Sequence, residues 1–142
     1  MEQSEGILIR KSPWSETSLI VTWLTPSHGK IRLVAQAARR PSSPLAGCLD
    51  LFFKAEITFA ISRKSDLHRL SEVRVTEPFD ASCVPCANVF LGGYFAELVD
   101  ATTEPGQPAA DIYDLLVRAT AFLRSRPAAL QMLSMSDGEP RS

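Results

Sequence analysis

The sequence lacks any apolar stretch that approaches the roughly 18 uninterrupted residues needed by a membrane-spanning helix. Its first residues, Met1–Glu5, are polar and acidic and do not form the basic region that opens a secretion signal. It holds only three cysteines, Cys48, Cys83 and Cys86, and an odd number without such a signal indicates reduced thiols. These absences predict a cytoplasmic protein without a disulfide framework.

Catalytic motifs are missing as well, because the sequence has no P-loop, no GxSxG elbow, no HExxH pair and no paired-carboxylate signature. Cys83 and Cys86 form a CxxC, the spacing of many zinc half-sites and thiol redox motifs. Two more zinc ligands would have to come from Cys48, His28 and His68, which lie far apart in the sequence. We therefore predict no enzyme, no metal and no cofactor, with a zinc or thiol enzyme as the weaker alternative.

The distribution of charge is uneven, although the formal net charge of the 142 residues is only -1. Up to Phe79 there are eleven Lys and Arg against eight Asp and Glu, and from Asp80 onward four against eight. Between Arg10 and Arg40, six basic residues face a single acidic residue, Glu16. This local excess favours a polyanionic partner, and the alternative is an ordinary solvated surface.

Apolar residues in the first half of the chain recur with a period of about two, which is typical of strands. Leu70 falls out of phase with Val73 and Val75, which predicts a bulge in the last strand. Because no helical pattern intervenes, these short strands predict a small barrel or sandwich. The predicted strands are Gly6–Lys11, Leu19–Leu24, Lys30–Ala37, Phe52–Ser62 and Leu67–Val75.

The second half changes to a helical period over Asn88–Ala101 and Asp111–Arg124, with a Pro- and Gly-containing linker between. The fold class is therefore α+β with strands and helices segregated: a five-stranded barrel followed by an α-helical hairpin. We expect three parts: the barrel over 1–79, a partial helical domain over 80–133 and a disordered polar tail over 134–142. An orphaned hairpin would expose apolar surface, which raises self-association as a hypothesis.

The basic residues of the barrel are the candidate binding site, because phosphates need cationic donors at intervals along a path. Trp14, in a turn after Pro13, and Phe52, on the same strand parity as Lys54, are candidates for stacking on bases. Trp23 lies on an apolar face and is predicted to be core. The predicted DNA-binding cations, of which the first six could border one groove, are Arg10, Lys11, Lys30, Arg32, Arg39, Arg40 and Lys54.

An ordered series of segments resembles the RecO family of recombination mediators. The loop Ala38–Gly47 is similar to a basic Pro-containing loop of that family, and Glu77-Pro78-Phe79 is similar to the tripeptide after its last barrel strand. The sequence departs at Ser42 and Pro44, where basic residues are common in the family. Similar segments also include Glu5–Arg10, Ser15–Val21, His28–Arg32 and Tyr94–Leu98.

The resemblance implies an OB-fold barrel beside the start of a helical domain. It also implies binding of single- and double-stranded DNA at the nucleoid, annealing of complementary strands, and loading of RecA together with RecR and the single-strand-binding protein. Family members are usually longer and many carry a four-cysteine zinc site, for which Cys83 and Cys86 are in the wrong place. The alternative function is an OB-fold adaptor that binds proteins and makes little contact with DNA.

Overall fold

The computed structural model describes residues 1–80 and 84–125, so the predicted tail over 134–142 lies outside the described residues. Five strands close into a barrel in the order β1-β2-β3-β5-β4, and two helices follow. Neighbouring strands are antiparallel except β3 and β5, which are parallel. The elements are β1 Glu2–Pro13, β2 Leu19–Thr25, β3 Gly29–Ala35, β4 Lys54–Ala60, β5 Leu67–Glu77, α1 Cys86–Thr102 and α2 Ala110–Ser125.

This architecture confirms the predicted α+β fold, with an OB-type barrel and an α-helical hairpin. The bulge predicted in the last strand is also confirmed. Thr58 of β4 pairs with Glu72, and the next residue, Phe59, pairs with Leu70, so Ser71 has no partner in the ladder. The extra residue explains why Leu70 and Val73 both face inward despite their odd spacing.

The strand β2 is covered on both of its faces, and six of its seven residues are buried. Val21 and Trp23 point into the barrel, where neither side chain is exposed. Leu24 points outward and joins a second apolar cluster between barrel and helices. Burial of each large apolar side chain stabilises the fold by about 1.5–3 kcal/mol. Because β2 contributes such side chains to both clusters, it stabilises the barrel and the packing of the helices on it.

The helices pack on the barrel through this second cluster. Leu116 and Leu123 of α2 lie there with Ile7 and Ile9 of β1. The side-chain amide of Asn88, near the start of α1, donates a hydrogen bond to the carbonyl of Leu123 at 3.0 Å. Since Leu123 lies near the end of α2, the two helices run antiparallel.

The linker between the helices is fixed to the turn between β2 and β3. The amide of Gly106 donates to the carbonyl of Lys30, and the amide of Ala109 donates to the carbonyl of Pro26, both at 3.1 Å. Gly29, at φ 63°, makes this approach possible, because a Cβ there would lie 1.8 Å from the carbonyl oxygen of Gln107. No helix among the described residues is long and apolar enough to cross a membrane.

Tyr113 buries its hydroxyl between α2 and the barrel, where it has no hydrogen-bond partner among the residues described. We expect Tyr113→Phe to raise the free energy of unfolding by up to about 1 kcal/mol, because an unpaired buried hydroxyl is costly. Burial, and then the carboxylates of Glu5, Asp114 and Glu77, raise the pKa of Tyr113. Its contribution to stability therefore falls once the pH exceeds about 10, the pKa of an unfolded tyrosine.

Urea unfolding of the two proteins at neutral and at alkaline pH measures this effect. The difference in free energy of unfolding in favour of the phenylalanine variant should grow at alkaline pH. Only the wild-type chain can then release the proton of Tyr113 on unfolding, and this release stabilises its unfolded state. A variant that is less stable than the wild type at neutral pH would show that the hydroxyl makes a favourable contact.

Candidate nucleic-acid interface

Three shallow depressions lie in a row on the outer surface where β3 and β5 run side by side. Arg32 and His68 line the first, Trp14 and Arg69 line the second, and Arg40 lines the third. His68 lines the first two depressions, and Arg69 lines the last two, so they form one continuous surface. We call this surface the β3–β5 groove. Its polar lining also includes Lys30, Gln36, Ser42, Ser43, Ser62 and Asp66.

The arginines of the groove follow from the register of two parallel strands. Arg32 alternates with the buried Ile31 and Leu33, so its side chain points out of the barrel. β5 places Leu67 opposite Arg32, and Arg69 opposite Val34. Arg32 and Arg69 therefore stand on adjacent strands about 7 Å apart along the strand direction, two residues of rise.

These cations are free of acidic partners. Arg32, Arg40 and Arg69 are exposed, and none of them takes part in an ion pair within the described part of the chain. Asp66 is the one carboxylate in the described lining of the groove. The groove therefore offers three arginine forks, each able to take a phosphate in two hydrogen bonds.

Trp14 stands at the edge of the groove with 56% of its surface exposed. Its backbone amide donates to the carbonyl of Ser18 at 3.0 Å, which closes the short loop between β1 and β2. The guanidinium of Arg39 donates to the carbonyl of Ser15 in the same loop at 2.6 Å. Arg39, one of the predicted cations, therefore holds the loop that carries the ring and keeps further N–H donors for an anion.

Three predicted cations pair with carboxylates, although one of them, Lys30, also lines the first depression of the groove. Asp100 of α1 pairs with Arg10 at 3.4 Å and with Lys30 at 3.0 Å, and its backbone carbonyl accepts a further hydrogen bond from Lys30 at 2.7 Å. Lys11 pairs with Asp50 at 3.3 Å. The prediction that the six cations between Arg10 and Arg40 border one groove is wrong, because the pairs of Arg10 and Lys11 hold these two side chains against a helix and a loop outside the groove. DNA contact by any of the seven stays a prediction.

Phe52, predicted to stack on bases, is only 2% exposed, so that prediction is wrong. The strand β4 begins at Lys54, and Phe52 takes a left-handed φ of 65°, so the alternation of the strand does not extend to it. Its ring instead packs edge-on against Phe79, with 5.4 Å between the ring centres. Lys54 opens β4, whereas the groove lies at the other end near Ala60, about 20 Å away at the rise of a strand.

The sequence reasoning missed Arg69 and His68, and it missed Arg63 and Lys64 in the loop between β4 and β5. The ring nitrogen Nδ1 of His68 accepts a hydrogen bond from the amide of Ser62 at 2.9 Å, which fixes the start of this loop beside the groove. Arg63 and Lys64 are exposed. In OB-folds the β1–β2 and β4–β5 loops flank the face that binds oligonucleotides, so the loop position was a usable signal.

The side of the barrel made by β1, β4 and β5 is acidic. A depression there is lined by Glu5, Glu56 and Glu72, together with Arg74. Arg74 is paired with Glu56, which leaves an excess of negative charge. Charge of this sign would repel a polyanion from this side of the barrel, in contrast to the β3–β5 groove.

The described residues contain no cluster of three or more His, Cys, Asp or Glu side chains that could hold a metal ion. Of the predicted CxxC, Cys86 is exposed with a free thiol, and Cys83 lies outside the described residues. The zinc or thiol alternative thus gains no support from the residues described.

Comparison with known proteins identifies the family. The family model described as "Recombination protein O N terminal" matches residues 1–79. The chain is 31% identical to the DNA repair protein RecO of Cyanothece sp. over 125 residues, 88% of this chain and 42% of the relative. It is 35% identical to the DNA repair protein RecO of Listeria monocytogenes over 115 residues, 81% of this chain and 44% of the relative.

The chain therefore spans less than half the length of these relatives. The family match covers the whole barrel, including both strands of the β3–β5 groove. The resemblance seen in the ordered segments is confirmed: the chain belongs to the RecO family.

Proposed function

We propose that this chain is a DNA-binding protein of recombinational repair that binds single-stranded DNA in the β3–β5 groove, without a catalytic centre. One observation carries the proposal. Arg32, Arg40 and Arg69 lie in one continuous groove with the exposed ring of Trp14, and no carboxylate of the described residues pairs with them. The role in recombinational repair is supported by the relatives, which are named DNA repair protein RecO.

The chemistry of the groove suits a flexible single strand. Arginine forks bind phosphate oxygens regardless of sequence, and an exposed indole stacks on any base. A duplex hides the faces of its bases, so Trp14 would contribute to binding of single strands alone. Arg63, Lys64 and the remaining donors of Arg39 would extend the contacts to about four to six phosphates.

Fluorescence anisotropy with a labelled oligo-dT strand and with a matched duplex tests the proposal. We expect binding at physiological salt, with the single strand preferred. Glu72→Gln, on the acidic side of the barrel, is the control for nonspecific charge and should bind as the wild type does. The proposal would be contradicted if the chain bound neither the single strand nor the duplex. A preference for the duplex would show that Trp14 does not stack on bases.

Trp14→Ala should weaken binding of single strands by about 1–3 kcal/mol, the contribution of one stacked base. The same change should leave duplex binding and the free energy of unfolding almost unchanged, because the ring is exposed. Trp14→Phe, which keeps an aromatic face, should retain most of the affinity. Anisotropy with both DNAs measures the effect, and an equal loss on duplex and single strand would rule out stacking.

We also propose the wider roles that the family implies, which are annealing of complementary strands and loading of RecA. Two complementary strands repel each other, and the groove would partly neutralise this charge so that they anneal. RecR and the single-strand-binding protein would be the partners when RecA is loaded. An adaptor without DNA contact would need a coherent apolar patch on the barrel, but Trp14 and Ile61, two of its three large exposed apolar side chains in the described residues, line the basic groove.

A further inference from the structure

The first depression of the β3–β5 groove is bordered by the helical hairpin as well as by the barrel. Lys30 and Arg32 of β3 line this depression. Pro105 and Gly106, from the linker between α1 and α2, line it as well. Because Lys30 and Arg32 are two residues apart on one strand, both side chains point out of the barrel, about 7 Å apart along β3. Lys30 therefore continues the row of groove cations toward the end of α1.

Asp100, in the last turn of α1, engages the ammonium group of Lys30. The carboxylate oxygen Oδ1 of Asp100 lies 3.0 Å from Nζ of Lys30, and the backbone carbonyl of Asp100 accepts a hydrogen bond from the same Nζ at 2.7 Å. An ammonium has three N–H donors, so a single residue faces most of its binding capacity. Arg32, by contrast, is exposed and pairs with no carboxylate of the described residues.

Anchoring of the helix explains only one part of this contact. The last turn of α1 has no basic residue, and Lys30 supplies the missing cation when it binds the carbonyl of Asp100. That hydrogen bond needs only the backbone of residue 100. The carboxylate is unfavourable at the negative end of a helix, and Lys30 and Arg10 offset this cost. An uncharged side chain at position 100 would keep the anchor, so the carboxylate calls for another explanation.

Low exposure makes the pair of Lys30 and Asp100 resistant to salt. The two side chains are 14% and 23% exposed. In the pair of Lys11 and Asp50, the corresponding values are 43% and 60%. Ion pairs that are partly withdrawn from solvent are screened less than exposed pairs. At physiological salt, Asp100 therefore competes with a phosphate for Lys30 more effectively than a surface carboxylate would.

We propose that Asp100 masks Lys30 from phosphates and thereby limits the affinity of the β3–β5 groove for single-stranded DNA. This inference rests on the proposed function, because it concerns the regulation of the same site. The masking carboxylate belongs to α1, so a movement of α1 away from β3 would free Lys30 as a fourth cation next to Arg32. The helical hairpin would thus control the affinity of the barrel for DNA.

Asp100→Asn in the full chain tests the mask by anisotropy titration with labelled oligo-dT. The amide keeps the size of the side chain and the carbonyl that Lys30 binds, so the fold should persist, as urea unfolding will show. We expect the affinity to rise about fourfold at about 0.15 M salt, and the log–log salt slope to grow in magnitude by about 0.7, the contribution of one phosphate contact.

The matched control is Glu97→Gln, which removes the same charge about one turn earlier on α1. Glu97 is exposed and pairs with no basic side chain of the residues that the structure describes. This variant should bind DNA as the wild type does. An equal gain from Glu97→Gln would assign the effect to the overall charge of α1 and overturn the mask.

Two further variants show whether the effect acts through Lys30. Lys30→Gln alone should weaken binding less than twofold, because the lysine is already masked and Arg10 still pairs with Asp100. Arg32→Gln, which removes an unmasked neighbour, should weaken binding about fourfold. Asp100→Asn added to Lys30→Gln should bring no gain. Since the comparison of Lys30→Gln with Arg32→Gln leaves Asp100 in place, it decides the question even if Asp100→Asn does not fold.

The outcomes distinguish the mask from the proposed function. If the wild type binds DNA and Asp100→Asn binds no more tightly, the mask is overturned and the proposed function stands. The same holds if the gain persists without Lys30, or if Lys30→Gln loses as much affinity as Arg32→Gln. Absence of binding by the wild type and by Asp100→Asn alike would contradict both.

Discussion

Simultaneous replacement of Arg32, Arg40 and Arg69 by alanine should weaken binding of single-stranded DNA about fifty-fold at about 0.15 M salt. The estimate rests on counterion release, in which each phosphate contact contributes about 0.7 to the log–log salt slope, or about a fourfold change in affinity at that salt. The three arginines lie in the groove without acidic partners, so their loss should not unpair any carboxylate of the described residues. Anisotropy titration with labelled oligo-dT measures the change.

A triple alanine variant at Arg10, Lys11 and Lys54 is the matched control, because it removes the same charge from the same barrel. Arg10 and Lys11 are held by Asp100 and Asp50, and Lys54 lies at the far end of β4. We expect a loss of affinity several-fold smaller than in the groove variant. If the control loses as much as the groove variant, binding depends on net charge and the groove is not the site.

Gly29→Ala should lower the free energy of unfolding by about 3–4 kcal/mol, a large share of the 5–15 kcal/mol of a typical domain. A left-handed φ costs an alanine about 1–2 kcal/mol. The new Cβ would also meet the carbonyl oxygen of Gln107 at 1.8 Å, and backbone must move to relieve this contact. That movement breaks the hydrogen bonds from Gly106 to Lys30 and from Ala109 to Pro26, each contributing about 1 kcal/mol.

Gly106→Ala separates the two causes. Gly106 also has a left-handed φ, 77°, but a Cβ there would meet no atom within 4 Å. This variant should lose only the conformational part, about 1–2 kcal/mol. Urea unfolding monitored by the buried Trp23 compares the two, and equal losses would mean that the linker does not depend on its contact with Gly29.

The barrel could be predicted because the patterns that specify its strands involve residues close together in the sequence. The two-residue period of β3 and β4, and the phase shift at Leu70, are properties of neighbouring residues and were visible in the sequence. The helical period of α1 and α2 was visible for the same reason. Strand ends were predicted less well: β1 begins at Glu2 rather than Gly6, because polar residues there pair with β4 without alternation in hydrophobicity.

The site was predicted less completely because it depends on contacts distant in sequence. Asp100 lies 90 residues after Arg10, and no local pattern shows that the two form an ion pair. Arg69 joins the groove only because β5 pairs with β3 in parallel. At Phe52, a single left-handed residue ended the alternation on which the stacking prediction rested.

The salt dependence of binding to single-stranded DNA decides whether the β3–β5 groove binds phosphates. We expect the logarithm of the binding constant of the wild-type chain to fall linearly with the logarithm of salt concentration, with a slope of about -3 to -4. The variant without Arg32, Arg40 and Arg69 should show a slope smaller in magnitude by about 2. A wild-type slope near zero, or an unchanged slope in the variant, would contradict binding of phosphates in the β3–β5 groove.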